Sequence, residues 1–182
     1  MCFPSCIWYA LRFFFDNLHI KKSIRPYINR YKLLFDTDFD IVVNKCLETH
    51  GELWLTPSLV KCIFEIKKQA PRGSGNLVPS AVPRPVSFGL YRDNTLIAGE
   101  IGVICGRVYT SYSGFKTESN SGTVQMILMA HALEEAGFDF LDFGMPLAYK
   151  RDLGALDISP GEFVRIFRSA QIAGEYDPAV QI

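Results

Sequence analysis

The stretch from Val86 to Phe115 constrains the fold more than any other. It reads as three strands in a row, VSFGLY, TLIAGEIGVICG and RVYTSYSGF, with the first two joined across a turn at Arg92-Asp93-Asn94. Strands joined by so short a turn lie antiparallel. Upstream of them the apolar period is helical. In FDTDFDIVVNKCLETHG, Phe39, Val42, Val43 and Cys46 recur at helical spacing, with Asp36 or Asp38 as the N-cap and Gly51 as the stop. TPSLVKCIFEIKK opens with a Thr56 cap and Pro57 at the first helical position. Leu59, Cys62, Ile63 and Ile66 form its stripe, and Lys67 and Lys68 suit its C-terminal dipole. Between the two regimes, QAPRGSGNLVPSAVPRP over residues 69–85 holds four prolines and two glycines and predicts a loop. Downstream, SNSGTVQMILMAHALEEAGFDF predicts a capped helix ending at Gly137, FDFLDFG a further strand, and the segment from Pro160, with Phe163, Ile166 and Phe167, a short helix. The expected class is α+β, with helices packed on one mainly antiparallel sheet.

A chain of 182 residues with 48% hydrophobic and 21% charged residues is not disordered as a whole, and it suits one domain, or one domain with a small satellite. Its 19 Lys and Arg balance 19 Asp and Glu, but unevenly. Residues 1–33 hold Arg12, Lys21, Lys22, Arg25, Arg30 and Lys32 against Asp16 alone, a net +5 arm on a net −5 body. Such an arm points to a polyanionic partner. The expected organisation is therefore an apolar and basic N-terminal arm over 1–33, then a domain over 34–182 with its loop at 69–85. The five cysteines, Cys2, Cys6, Cys46, Cys62 and Cys105, cannot all pair and form no CxxC. This argues against a disulfide scaffold and a structural zinc, and for a reduced compartment. No apolar run reaches the length of a membrane-spanning helix. The start, MCFPSCIWYALRFFF, is broken by Arg12 and lacks a basic n-region, so an organellar presequence suits it better than a secretory signal. The cytoplasm is the expected location, with the mitochondrial matrix as the alternative.

No nucleophile–base set stands out. His19, His50 and His131 lie in unrelated settings, and the chain has neither a Walker loop nor GxGxxG. Gly99, Gly102 and Gly106 mark either bulges or a close approach of a ligand to the backbone. Asp142 closes an apolar strand and precedes Phe143-Gly144-Met145-Pro146, so it is either a loop-capping carboxylate or a site residue. Met126 and Met129 on the preceding helix are either core or the lining of an apolar pocket.

The segment GRVYTSYSGFKTESNSGTVQMILMAHALEEAGFDFLDFGMPLAYKRDLGALDISPGEF resembles the bacterial leucyl/phenylalanyl-tRNA–protein transferase pattern. In that family a strand reaches GESMFS, a helix starts at NASK, a strand ends in IDCQ, and HxxSLGAxxIPRxxF follows. The spacing matches without a gap from Gly106 to Phe163. Upstream, LWLTPSLVKCIFEI resembles the family's TWI and its helix, TLIAGEIGVICG resembles ELVGGLYGVxxG, NLHIKKSIR resembles LHISRSxxR, and IWYALR stands where the family has WWSPDPR. The likeness covers roughly residues 7 to 168.

The resemblance implies an acetyltransferase-like α+β domain, with residues 1–33 as the remnant of a small N-terminal domain. It implies transfer of Leu or Phe from aminoacyl-tRNA to the N-terminal Arg or Lys of a protein, which yields a destabilising N-terminus. The tRNA ester is the acyl donor, so neither cofactor nor metal is implied. The partners would be aminoacyl-tRNA and the acceptor protein. Asp142 falls on the Asp of IDCQ, and Trp54 on the Trp of TWI. Met126, Met129 and Leu141 fall on apolar pocket positions, together with Tyr109. Lys21, Lys22, Arg25 and Arg30 lie in the basic stretch that resembles the tRNA-contacting one. Tyr112 stands at the Glu of GESMFS, Gly144 at the Gln of IDCQ to which the family assigns a direct catalytic role, Thr123 at the Lys of NASK and Pro160 at the Arg of IPR. Asp142 would then orient the attacking amine and Tyr112 donate to the oxyanion. The alternative is a non-catalytic member acting as a subunit of a larger, organellar assembly. An acyl-CoA acetyltransferase is disfavoured because the chain lacks the R/QxxGxG/A pyrophosphate loop.

Overall fold

The computed structural model describes residues 10–52, 54–69 and 76–172. The strands are β1 (Ala10–Phe13), β2 (Lys32–Phe35), β3 (Ser80–Arg92), β4 (Thr95–Gly106), β5 (Val108–Lys116), β6 (Phe140–Gly144) and β7 (Leu156–Ile158). The helices are α1 (Arg25–Ile28), α2 (Phe39–His50), α3 (Pro57–Gln69), α4 (Ser121–Glu135), α5 (Ala148–Asp152) and α6 (Pro160–Ile172). Among the described residues all seven strands form one sheet in the order β2-β3-β4-β5-β6-β1-β7. Every pairing is antiparallel except β5 with β6. This is the α+β class that the sequence implies, a mainly antiparallel sheet with packed helices.

Local chemistry explains the element ends. Asp93 and Asn94 have φ of 49° and 64°, the left-handed pair that lets a two-residue turn follow the twist of β3 and β4. The α2 cap is Gly51, as expected, and Thr56 Oγ1 accepts the Leu59 amide at 3.3 Å at the start of α3. The proline-rich segment departs from expectation, because its last six residues, 80–85, are strand rather than loop. β2 pairs with β3 only from Phe88 to Tyr91, so Pro83 and Pro85 lie where β3 has a free edge and no amide is missed on that side.

The expected arm also departs from a separate appendage over its described part. β1 inserts between β6 and β7, and β2 straddles the boundary at residue 33 to pair with β3. Its short strands carry too few residues to show a period. Phe13, Ile24, Tyr27 and Ile28 join the core that α4 forms over β3, β4 and β5. On that face Val124, Ile127, Met129 and Leu133 of α4 pack against Val86, Phe88, Leu90, Ala98, Ile104 and Tyr109. α2 and α3 cover Ile101 and Phe115 with Val42, Val43, Cys46 and Ile63, while α6 covers Val108 and Phe140.

Candidate active site at the split between the parallel strands

β5 and β6 are joined by the crossover helix α4 and pair at only three positions: Val108 with Phe140, Tyr109 with Leu141, and Thr110 with Asp142. β5 continues to Lys116 with β4 as its strand partner, so the sheet opens between β5 and β6 just past Asp142. The β4–β5 register also shifts there, from Ile101 opposite Ser113 to Gly102 opposite Ser111, which leaves Tyr112 as the extra bulged residue. The carboxyl end of a strand beside a parallel crossover is where such sheets hold ligands.

Three buried charged side chains gather at this split, and a fourth lies one strand behind it. Asp142 is 7% exposed, and its Oδ1 accepts the Gly144 amide at 2.9 Å. Burial raises its pKa, opposed by that amide, by the Thr110 hydroxyl and by the charges of Lys150 and Arg12. Glu100 of β4, also 7% exposed, accepts the Tyr109 hydroxyl at 3.1 Å. Burial pushes its pKa up to about 7 against the hydrogen bonds of Ser111 and Tyr109 and the charge of Lys150. Lys150, 8% exposed, donates to the Phe143 carbonyl at 2.5 Å and the Met145 carbonyl at 3.5 Å. Burial lowers its pKa, and Glu100 and Asp142 work in the opposite direction.

The fourth is Arg12, register partner of Asp142 across β1–β6. Its guanidinium lies 4.0 Å from the Phe14 ring centre and 3.5 Å from that of Phe140. Burial lowers its pKa to about 10, and its Nε and Nη1 have no hydrogen-bond partner among the described residues. This cation belongs to the interior, not to a basic surface.

The other expected site residues divide into two groups. Trp54 and Tyr112 come together at the split, where the exposed Trp54 donates from Nε1 to the Tyr112 carbonyl at 3.1 Å. Gly144 has φ +64°, and a Cβ built on it meets nothing closer than the Ser111 carbonyl oxygen at 3.9 Å. By contrast, Tyr109, Met126, Met129 and Leu141 lie in the core beneath α4, with Tyr109, Met129 and Leu141 fully enclosed. The Tyr109 ring rests over Gly102, where an added Cβ would come within 2.4 Å of the ring. Lys21, Lys22, Arg25 and Arg30 are all exposed. Lys21 pairs with Asp152 at 2.6 Å, and Arg30 stacks 4.7 Å from the Tyr27 ring centre.

Sequence reasoning missed Glu100 and Lys150. Glu100 had a signal, a lone carboxylate in the otherwise apolar run TLIAGEIGVICG. Lys150 had none, because only the return of α5 over the split makes it buried. Among the described residues no group of three or more His, Cys, Asp or Glu is placed to hold a metal ion, and no helix is long and apolar enough to cross a membrane.

The leucyl/phenylalanyl-tRNA protein transferase family matches residues 12–168, a span that includes the whole split and all four buried charges. The chain belongs to that family. Leucyl/phenylalanyl-tRNA–protein transferases from Pseudomonas entomophila and Campylobacter jejuni are 28% and 26% identical, over 81% and 91% of this chain. The chain spans 62% and 68% of their respective lengths. Among solved structures, that of L-PGS from Bacillus licheniformis superposes with a TM-score of 0.51 at 11% identity, covering 93% of this chain and 66% of that one. This second likeness is one of fold. The Asp of the IDCQ pattern falls on Asp142, the middle residue of β6 and the last one paired with β5.

Proposed function

We propose that this chain is an aminoacyltransferase that moves Leu or Phe from aminoacyl-tRNA to the N-terminal Arg or Lys of a protein. The observation that carries this reading is the buried Asp142 carboxylate at the floor of the β5–β6 split, inside the span shared with the family. The tRNA ester brings its own activation, so the chain needs to place an amine, take its proton and receive negative charge on the carbonyl oxygen. Asp142 orients the amine and takes the proton, a role that the upward shift of its pKa by burial favours. Tyr112, on the bulge two residues beyond Thr110, donates from the rim, and Trp54 walls the entrance. The exposed Lys21, Lys22, Arg25 and Arg30 would hold tRNA phosphates. No cofactor enters this scheme, and the place of action would be a compartment that supplies charged tRNA, the cytoplasm or the mitochondrial matrix. A subunit role without chemistry draws no support from the relatives.

A transfer assay with Phe-tRNA and a peptide beginning with Arg tests the proposal. The wild-type chain should transfer Phe, and Asp142→Asn should reduce the rate about 10²–10³-fold. Failure of the wild type to transfer either Phe or Leu would reject the reading.

A further inference from the structure

The family pattern places a Gln amide two residues after its Asp, and this chain has Gly144 there. Lys150 brackets that position. Its Nζ donates to the carbonyls of Phe143 and Met145, the two residues flanking Gly144. An ammonium carries three donors, and these carbonyls take two of them. The third has no acceptor among the described residues. The loop over it is open to solvent, with Met145 63% exposed. In HxxSLGA, Lys150 falls on an unspecified position, so the pattern does not assign it. Glu100, the buried carboxylate on β4, likewise falls on the second Leu of ELVGGLYGV.

We propose that the Lys150 ammonium is a second oxyanion donor beside Tyr112, at the position where the family has its Gln, and that Glu100 is a positioning residue that keeps it charged. The proposal rests on the aminoacyltransferase reading. In the step, the acceptor amine nitrogen bonds to the ester carbonyl carbon, and the C=O π pair moves onto oxygen, where the third Lys150 N–H meets it. The amine proton passes to Asp142. The oxyanion then re-forms C=O, and the bond from carbon to the tRNA ribose oxygen breaks. That oxygen leaves as a hydroxyl with the proton from Asp142. Ester and amine become amide and alcohol with no other reactant.

The charges acting on Lys150 are those of Glu100 from β4, which accepts the Tyr109 hydroxyl of β5, and of Asp142 from β6, and the Tyr149 ring centre of its own helix is 5.9 Å away. Burial lowers the Lys150 pKa and the two carboxylates raise it, so the donor is lost as pH rises through that lowered value.

Steady-state transfer from Phe-tRNA to an Arg peptide by the full chain tests this. Lys150→Met should lower kcat about 10²–10³-fold, with KM for Phe-tRNA within about twofold of wild type. Lys150→Arg should recover part of the loss, and Glu100→Gln should move the alkaline limb of kcat to lower pH. A folded Lys150→Met with wild-type kcat overturns the proposal and leaves the transferase reading standing. If Lys150→Met does not fold, Lys150→Arg and the Glu100→Gln profile decide. An Arg variant that rescues nothing, with an unmoved limb, makes Lys150 a brace for residues 143–145 only. A wild type that transfers nothing removes the transferase reading itself.

Discussion

The face beneath α4 and the split between β5 and β6 share a sheet and obey opposite rules. Under α4 the strands β3, β4 and β5 stay paired along most of their length, interrupted only by local bulges, and Val86, Phe88, Leu90, Ala98 and Ile104 meet an apolar helix surface. At the split the ladder stops after Thr110 and Asp142, and the buried Lys150 feels both Glu100 and Asp142, while Arg12 acts on Asp142 from behind β6. A complete ladder leaves side chains with nothing to satisfy but packing. A broken one leaves carbonyls such as those of Phe143 and Met145 for a charged donor to hold. Buried charge without a nearby opposite is costly, so it concentrates where a fold keeps it for a purpose.

The sharpest way to break this contrast is Met129→Ala. If Met129 is core, the variant should lose about 3 kcal/mol, a fall in melting temperature of about 6–12 °C for a chain of this size, with donor preference unchanged. A stable variant with an altered Leu-to-Phe preference would make the α4 face the aminoacyl pocket instead.

Next comes the pH dependence of stability at the split. Glu100 has its pKa raised from 4.5 to about 7, so the folded chain holds this proton more tightly than the unfolded one. Its contribution is complete below about pH 4.5 and is lost as pH rises through about 7. The loss is on the order of 3 kcal/mol. Thermal melts should therefore show wild type losing stability relative to Glu100→Gln over that window, and parallel curves would place Glu100 outside a desolvated site.

The smallest effect concerns the exposed cations, which neither region controls. Lys22→Ala should make the salt dependence of tRNA binding about one unit shallower. Lys21→Ala should change it less, because Asp152 already neutralises that ammonium at 2.6 Å. Equal slopes for the two variants would show that the ion pair opens when tRNA binds.

Much of the fold is legible in the residues. Apolar spacing at Phe39, Val42, Val43 and Cys46 gives α2, and the alternation through VSFGLY and TLIAGEIGVICG with Asp93-Asn94 gives the β3–β4 hairpin. Asp142 as a candidate was also visible, since one carboxylate after an apolar run demands a partner, but the strand continues past it to Gly144. The short strands β1, β2 and β7 were not. Each draws its hydrogen bonds from distant residues, and three or four residues show no period.

Local order alone determined the helices α2, α3, α4 and α6, the hairpin and the α+β class, because spacing and turn chemistry act between near neighbours. The tertiary structure decided which charges are internal. Arg12 reads as one more cation of a basic arm until β1 enters the sheet beside β6 and its guanidinium lies against Phe14 and Phe140. Lys150 reads as a surface lysine until α5 folds back over the split, and Glu100 as a break in an apolar strand until Tyr109 reaches it across Gly102. Burial of a charge is settled by residues far away in the chain, and only the folded molecule brings them together.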